Sequence, residues 1–162
     1  MKTITQGDLQ GEYWAGRWSY VSIVLEWLGA YEHGTRVLEI GCADLQFVLG
    51  GDTLDRKDFG LPLTYRHDLR NVPWPIPDKH YDLAIATQVW EHLDGNQVVA
   101  FDELERVTHE AILSIPYRWK DTPVESHNGL DESTMLAWSG GRQPIQSAIS
   151  TDGRRYIARW EL

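Results

Sequence analysis

"VLEIGCADLQF", residues 37–47, runs from apolar and β-branched residues through an acid into a glycine. Such a run reads as a buried strand that ends in a tight turn. Nucleotide-binding α/β proteins place a strand of this kind at the centre of a sheet and follow it with a glycine-rich loop. Here only Gly41 is present, and Ala43 and Leu45 stand where further glycines are expected. The stretch is either a cofactor loop reduced to one glycine or a plain core strand, and the residues around it decide between the two.

Upstream, residues 12–34 read as a helix. Trp14, Trp18, Val21, Leu25 and Leu28 recur at spacings of three and four, with Gly34 as the stop. Strands are predicted at 36–40, 52–55, 63–67, 81–86 and 110–117. A helix spans 96–107, with Val98 or Val99, Phe101, Leu104 and Val107 on one face. Asp131 is an N-cap for a short helix over 131–138. Two final runs, "PIQSAIST" and "RRYIARWEL", are joined by Asp152-Gly153, a hairpin signal. Alternating strands and crossovers followed by a hairpin give an α/β chain with a mostly parallel, Rossmann-like sheet flanked by helices and a C-terminal antiparallel hairpin. The segments between 42 and 62 are short, so one or two crossover helices are expected to be shortened or missing.

The 162 residues suit a single domain, and no repeat, low-complexity segment or linker divides them. A net charge of −9 argues against a nucleic-acid partner held through its phosphates. The one local grouping of arginines, Arg154-Arg155 with Arg159, reads as a solvated strand edge. The single cysteine, Cys42, has no internal disulfide partner, which points to a reducing compartment. No apolar run spans a membrane, and "MKTITQGDLQ" lacks the apolar centre of a signal peptide. The expectation is a cytoplasmic protein without a membrane partner. Eight Trp and seven Tyr are many for this length and serve either core or binding site.

In an open parallel sheet the ligand lies beyond the carboxyl ends of the strands. The residues there are Gly41 to Asp44, Asp55, His67-Asp68, Thr87-Gln88 on to Glu91-His92, and Pro116-Tyr117. An acid follows each of three successive strands. One such acid is easily a loop residue or helix cap. Three in order along one sheet edge suit ribose hydroxyls and an adenine amino group.

With these residues in view, the chain resembles the class I S-adenosylmethionine-dependent methyltransferases. The resemblance rests on "VLEIGCAD", "DTLD", "HDLRNVPWPIPDKHYDLAIATQVWEHL" and "ELERVTHEAILSIPY", and covers about residues 36–117. It implies a cofactor-binding core over 36–117, an N-terminal helical segment over 1–34, and an acceptor-side loop, short helix and hairpin over 118–162. It also implies S-adenosylmethionine as cofactor. By position, Gly41 admits the methionine part, Glu39 is the acid just before it, and Ala43 continues the loop. Asp55 matches the ribose acid, Asp68 with Leu69 the adenine position, and Gln88 the edge of the methyl-transfer pocket. The missing glycines depart from the family, although a helix N-terminus and backbone amides can still serve the cofactor's carboxylate. A nicotinamide enzyme would need a fuller glycine pattern after the first strand.

Methyl transfer is mostly a matter of alignment, but a hydroxyl acceptor must also lose its proton. The groups for that are Glu91 and His92 in "QVWEHL" and His127 and Asp131 in "ESHNGLDES". Capping and solvation explain each of them equally well. Gln88, Glu91, His92 and His127 are similar to the metal site of some small-RNA and quinone methyltransferases, with Gln88 replacing one carboxylate. The likeness implies a divalent ion, Mg2+, on Glu91, His92 and His127. Residues 114–138 resemble those of small bacterial methyltransferases of glycan and polysaccharide synthesis. That implies O-methylation of a small-molecule acceptor, a saccharide hydroxyl, with Trp14, Tyr117, Trp119 and Trp138 as stacking surfaces or as core. The alternative is a non-catalytic module of the same fold that acts with a partner protein. Oligomeric state is open, and the aromatic N-terminal helix suits either a dimer contact or a cover for the cofactor.

Overall fold

The computed structural model describes residues 1–11, 14 and 16–162. Seven strands form one sheet: β1 (Val37–Ile40), β2 (Asp52–Asp55), β3 (Tyr65–Arg66), β4 (Tyr81–Thr87), β5 (Thr108–Pro116), β6 (Gln146–Ile149) and β7 (Arg155–Glu161). Their order is β3-β2-β1-β4-β5-β7-β6. The first five are parallel, and β7 runs antiparallel between β5 and β6. The expected Rossmann-like architecture with a terminal antiparallel pair is therefore present. The strand predicted at 63–67 is reduced to two residues.

Both faces of the central strands are buried, as a doubly covered parallel sheet requires. Side chains alternate along β1, so Leu38 and Ile40 face one core with Leu104, Phe101 and Trp160. Val37 faces the other with Val21, Val24, Ile85 and Ile112. The first core is closed by α2 (Gln97–Val107) and α3 (Glu132–Trp138), the second by α1 (Trp18–Leu28).

The predicted N-terminal helix is longer than the one observed. Residues 12, 13 and 15 of that prediction lie outside the described residues. At its other end α1 stops at Gly29, whose N–H reaches the carbonyls of Leu25 and Glu26, well before Gly34. On α2 the prediction of Val98 or Val99 on the apolar face fails. Both are exposed, at 43% and 45%, and the buried stripe is Gln97, Ala100, Phe101, Leu104 and Val107. The backbone carbonyl of Gln97 accepts the buried Trp90 indole N–H at 3.2 Å, tying the start of α2 to the turn after β4. Asp131 is the N-cap of α3, its carboxylate accepting the Thr134 N–H at 3.0 Å.

The arginines near the C-terminus are not a solvated edge. β7 is an interior strand, Arg155 is only 8% exposed, and Arg159 pairs with Glu110 at 2.7 Å. Of the three only Arg154 is exposed.

More crossover helix is missing than expected. Residues 41–51, 56–64 and 67–80, which join β1 to β4 through β2 and β3, contain no helix. After β1 the chain turns back on a loop, and the N-terminal segment covers it. Ile4 N–H donates to the Phe47 carbonyl at 3.0 Å, and Leu49 N–H donates to Lys2 at 2.9 Å. Ile4 and Leu9 join the core that a crossover helix would otherwise complete. The loop is held from beneath by Glu39. Its Oε2 accepts the Phe47 N–H at 2.7 Å and its Oε1 the Val48 N–H at 2.5 Å.

Glu39 is 2% exposed, and burial pushes its carboxyl up to about 7 while the two amides pull it down. Between the ordinary glutamate value of 4.5 and about 7, the folded chain keeps a proton that the unfolded chain has released. This group's contribution therefore weakens as pH rises through that window. Glu39→Gln replaces an acceptor by a donor facing an amide, and we expect a loss of about 1–3 kcal/mol by urea unfolding. The loss should be larger at pH 5 than at pH 8, because glutamine does not titrate.

Candidate active site

A cleft of about 310 Å³ opens beyond the carboxyl ends of β1, β2 and β4. Small-molecule sites start at about this size. Glu39, Gly41, Ala43, Asp55, Asp68, Leu69 and Gln88 all line it. The sequence-predicted cofactor positions are thus brought together on one surface, and His92 lies at the same cleft.

Gly41 has φ +66°, and its N–H donates to the Leu54 carbonyl at 2.8 Å. A Cβ there would stand 2.4 Å from Val89 Cγ2. Both the turn and the packing therefore require glycine. Ala43 and Gln88 also have positive φ, 53° and 59°, an unusual conformation for residues with a Cβ. Gln88 is fixed by β5, its N–H donating to the Ser114 carbonyl at 2.9 Å and its Nε2 to Ser114 Oγ at 3.1 Å. No helix follows Gly41, so amides of the loop, not a helix N-terminus, face a ligand there.

Asp68 is gripped by Arg70, whose Nε and Nη2 reach its two oxygens at 3.0 and 2.7 Å. That bidentate pair holds its carboxyl well below the usual range, at about 2. Arg70 is itself tied to Asp94 at 2.8 Å. Asp55 Oδ1 accepts the Lys57 N–H at 3.3 Å. Burial, with the charges of Glu39 and Asp55, pushes the Cys42 thiol up to about 12. Cys42 is therefore a wall of the cleft and not a nucleophile.

Two turns meet beside the cleft at His92, Trp90–His92 after β4 and Glu125–His127 after β5. Residues 118–130 fold back on themselves through Arg118 N–H to the Leu130 carbonyl at 2.7 Å and Gly129 N–H to Trp119 at 2.8 Å. That brings His127 Nε2 to 3.3 Å from His92 Nε2. Glu91 completes the group, with one ligand atom from each residue lying within 4.8 Å of the others. Glu91 is 2% exposed, neither carboxylate oxygen has a hydrogen-bond partner among the described residues, and burial pushes it up to about 8. Burial lowers both histidines, helped at His92 by the Arg56 charge and at His127 by His92 and Arg155.

Other predictions separate. Asp131 is spent on capping α3. Tyr117 is buried, stacked on Tyr156, with its hydroxyl donating to Glu132 at 2.7 Å. Trp138 packs against the core. Of the four aromatics, only Trp14 lines the cleft, its indole N–H donating to Asp44 at 3.1 Å. The sequence reading missed Phe59 and Arg56, which line the cleft from the loop after β2, and Arg155. Arg155 opens an antiparallel strand, so its amino end lies beside the carboxyl end of β5, opposite Pro116. Applying the strand-end argument to a reversed strand would have found it.

No protein-family model matches the chain, and no curated protein does. Solved structures do. A S-adenosylmethionine-dependent methyltransferase from Aquifex aeolicus aligns with a TM-score of 0.63 at 15% identity, over 95% of each chain. The N-methyltransferase NodS from Bradyrhizobium japonicum WM9, in complex with S-adenosylhomocysteine, gives 0.66 at 14%, over 94% of this chain and 88% of that one. Magnesium protoporphyrin IX methyltransferase from Synechocystis PCC 6803, with bound S-adenosylhomocysteine, gives 0.59 at 14%, over 90% and 83%. At these identities the likeness is one of fold. The chain has the Rossmann-like methyltransferase fold in a form with few crossover helices.

Gly41→Ala places a methyl against Val89 and strains the turn. We expect the affinity for S-adenosylhomocysteine to fall ten-fold or more by calorimetry. Adding Val89→Ala removes the contact but not the strain, so the double variant should recover part of the loss. Full affinity in the single variant would show that the Gly41 turn does not shape the site.

Proposed function

We propose that the chain transfers the methyl group of S-adenosylmethionine to a hydroxyl of a small acceptor, a saccharide or a similarly hydroxylated molecule. The observation that carries this reading is the convergence of Glu39, Gly41, Ala43, Asp55, Asp68, Leu69 and Gln88 on one cleft that ends at His92. In this reading Asp55 accepts from the ribose hydroxyls, Asp68 and Leu69 meet the adenine, and the Gly41 turn passes the methionine part. Three acids at that end suit a cofactor with a sulfonium and an ammonium. The acceptor class draws on the likeness of residues 114–138 to methyltransferases of glycan synthesis, and Trp14 offers a ring at the cleft.

The acceptor oxygen attacks the methyl carbon in line. The carbon–sulfur bond breaks with its electrons going to sulfur, which leaves as a neutral thioether, and the hydroxyl proton passes to His127 Nε2. Both histidines have lowered pKa values and are neutral near pH 7, as a base must be. The same residues fit a divalent ion. Two imidazole nitrogens 3.3 Å apart match the spacing expected of two ligands ~2.0–2.1 Å from one tetrahedral ion, and Glu91 brings a buried carboxyl group with no hydrogen-bond partner among the described residues. One carboxylate with two imidazoles favours Zn2+ or another transition ion over Mg2+, which prefers oxygen. Such an ion, when bound, would lower the pKa of an acceptor hydroxyl.

Calorimetric titration with S-adenosylhomocysteine tests the core of this reading. Binding in the micromolar range is expected, and none up to millimolar would point to the non-catalytic module instead. With methyl-labelled donor and a saccharide screen, His127→Ala should cut kcat by about 10²–10⁴-fold. It should leave cofactor affinity within two-fold, and equal loss of both would remove His127 from the chemistry. Turnover that survives exhaustive chelation would assign the histidines as base alone.

A further inference from the structure

Among the described residues Arg36, Arg70, Arg106, Arg118, Arg142 and Arg159 each pair with a carboxylate. Arg155 does not. Its guanidinium is buried, 4.2 Å from the centre of the Trp119 ring, which packs on His127, and 5.8 Å from that of Tyr20, which lines the cleft. Arg154 lies over the same indole at 4.8 Å. Among the described residues neither arginine has a carboxylate within ion-pair distance. Nη1 of Arg155 donates to the Arg154 carbonyl at 3.1 Å, and its Nε is buried with no partner. The charge of Asp152 acts on it from beyond ion-pair distance. A buried cation with no carboxylate in contact is costly, and it persists where something offsets that cost.

The position is rigid. The Arg154 carbonyl accepts the Trp119 indole N–H and the Tyr117 N–H, both at 2.9 Å. Ser150 Oγ accepts the Arg155 N–H at 2.8 Å. Arg155 is also close enough to act on the charges of Glu91 and His127. Asp55 and Asp68 line the cleft together with Arg56 and Arg70, whereas Arg154 and Arg155 stand over Trp119 with no carboxylate in contact among the described residues. In a chain of net charge −9 this is a local reversal.

We propose that Arg155, braced on Trp119 beside Arg154, binds an anionic group of the methyl acceptor, a carboxylate or a phosphate. This rests on the reading of the cleft as a methyl-transfer site. A guanidinium presents a planar fork that matches both anions, and stacking on an indole holds the fork in place. The acceptor is then an acidic or phosphorylated hydroxy compound, held by its charge while a neighbouring hydroxyl reaches His127.

The test is an NMR titration of the Trp119 indole resonance, assigned with Trp119→Phe, in protein saturated with S-adenosylhomocysteine. The probes are glucuronate, glucose 6-phosphate, inorganic phosphate and glucose. Expected is saturable movement at millimolar concentration with one of the acidic probes and none with glucose. The two acidic sugars separate carboxylate from phosphate. Arg155→Gln should weaken that binding ten-fold or more and leave affinity for S-adenosylhomocysteine within two-fold. Glucose binding as well as its acidic analogues, or anion binding unchanged in Arg155→Gln, would overturn the proposal. If Arg155→Gln does not fold, Arg155→Lys and Arg154→Gln carry the test. Each should weaken the anion, and unaltered binding in both overturns it. Failure of S-adenosylhomocysteine to bind defeats the methyl-transfer reading instead. The same titration without it still reports whether Arg155 holds an anion.

Discussion

The carboxylate of Glu39 holds two backbone amides of the loop that follows its own strand, and much of the cofactor end depends on that grip. A parallel strand pair ordinarily needs a long crossover, usually helical, to bring the chain back. Here β1 returns to β2 through residues 41–51 without one. A helix would have satisfied its own backbone and covered the sheet. Glu39 does the first task for Phe47 and Val48, and the N-terminal segment does the second through Ile4 and Leu9. The same acid faces the cleft, so one side chain serves both the fold and the site.

The two ends of the cleft are built on different principles. The cofactor end consists of loops pinned by local pairs: Asp68 with Arg70, Asp55 with the Lys57 amide, Gly41 with Leu54. The acceptor end is a stack of rings and charges assembled from distant parts of the chain. His92, His127, Trp119 and Arg155 come from four separate segments, and ring contacts of 4.9 and 5.6 Å link His127 to its neighbours His92 and Trp119. Local pairs hold the first set of loops in place, whereas the second surface depends on packing between segments far apart in the chain.

Much of this was legible in the residues. The apolar runs at 37–40 and 81–86 are strands because nothing else buries so many consecutive β-branched and aliphatic side chains. Asp55 and Asp68 reach the cleft because a parallel sheet collects its carboxyl ends on one edge, while Asp44 accepts the Trp14 indole N–H instead. What could not be read was non-local. No local pattern says that Lys2 pairs with Leu49, so the cover over the helix-free loop was invisible. Val98 and Val99 misled because adjacent apolar residues leave the phase of a helix ambiguous, and it is Gln97 that holds the buried place. Arg155 looked solvated because an arginine pair at a strand start usually is. Its burial depends on Trp119, thirty-six residues earlier in the chain.

Helix-free backbone has a thermodynamic consequence. Helices and paired strands exchange their amide hydrogens slowly, while loops pinned by a few side chains open at little cost. Residues 41–51, 56–64 and 67–80 are of the second kind, and they form the cofactor half of the cleft. Any ligand that bound the folded cleft and not the unfolded chain would add to global stability, about 2.7 kcal/mol at a hundred times its dissociation constant. On the proposed reading, resistance to proteolysis at these loops would then rise with occupancy of the cleft.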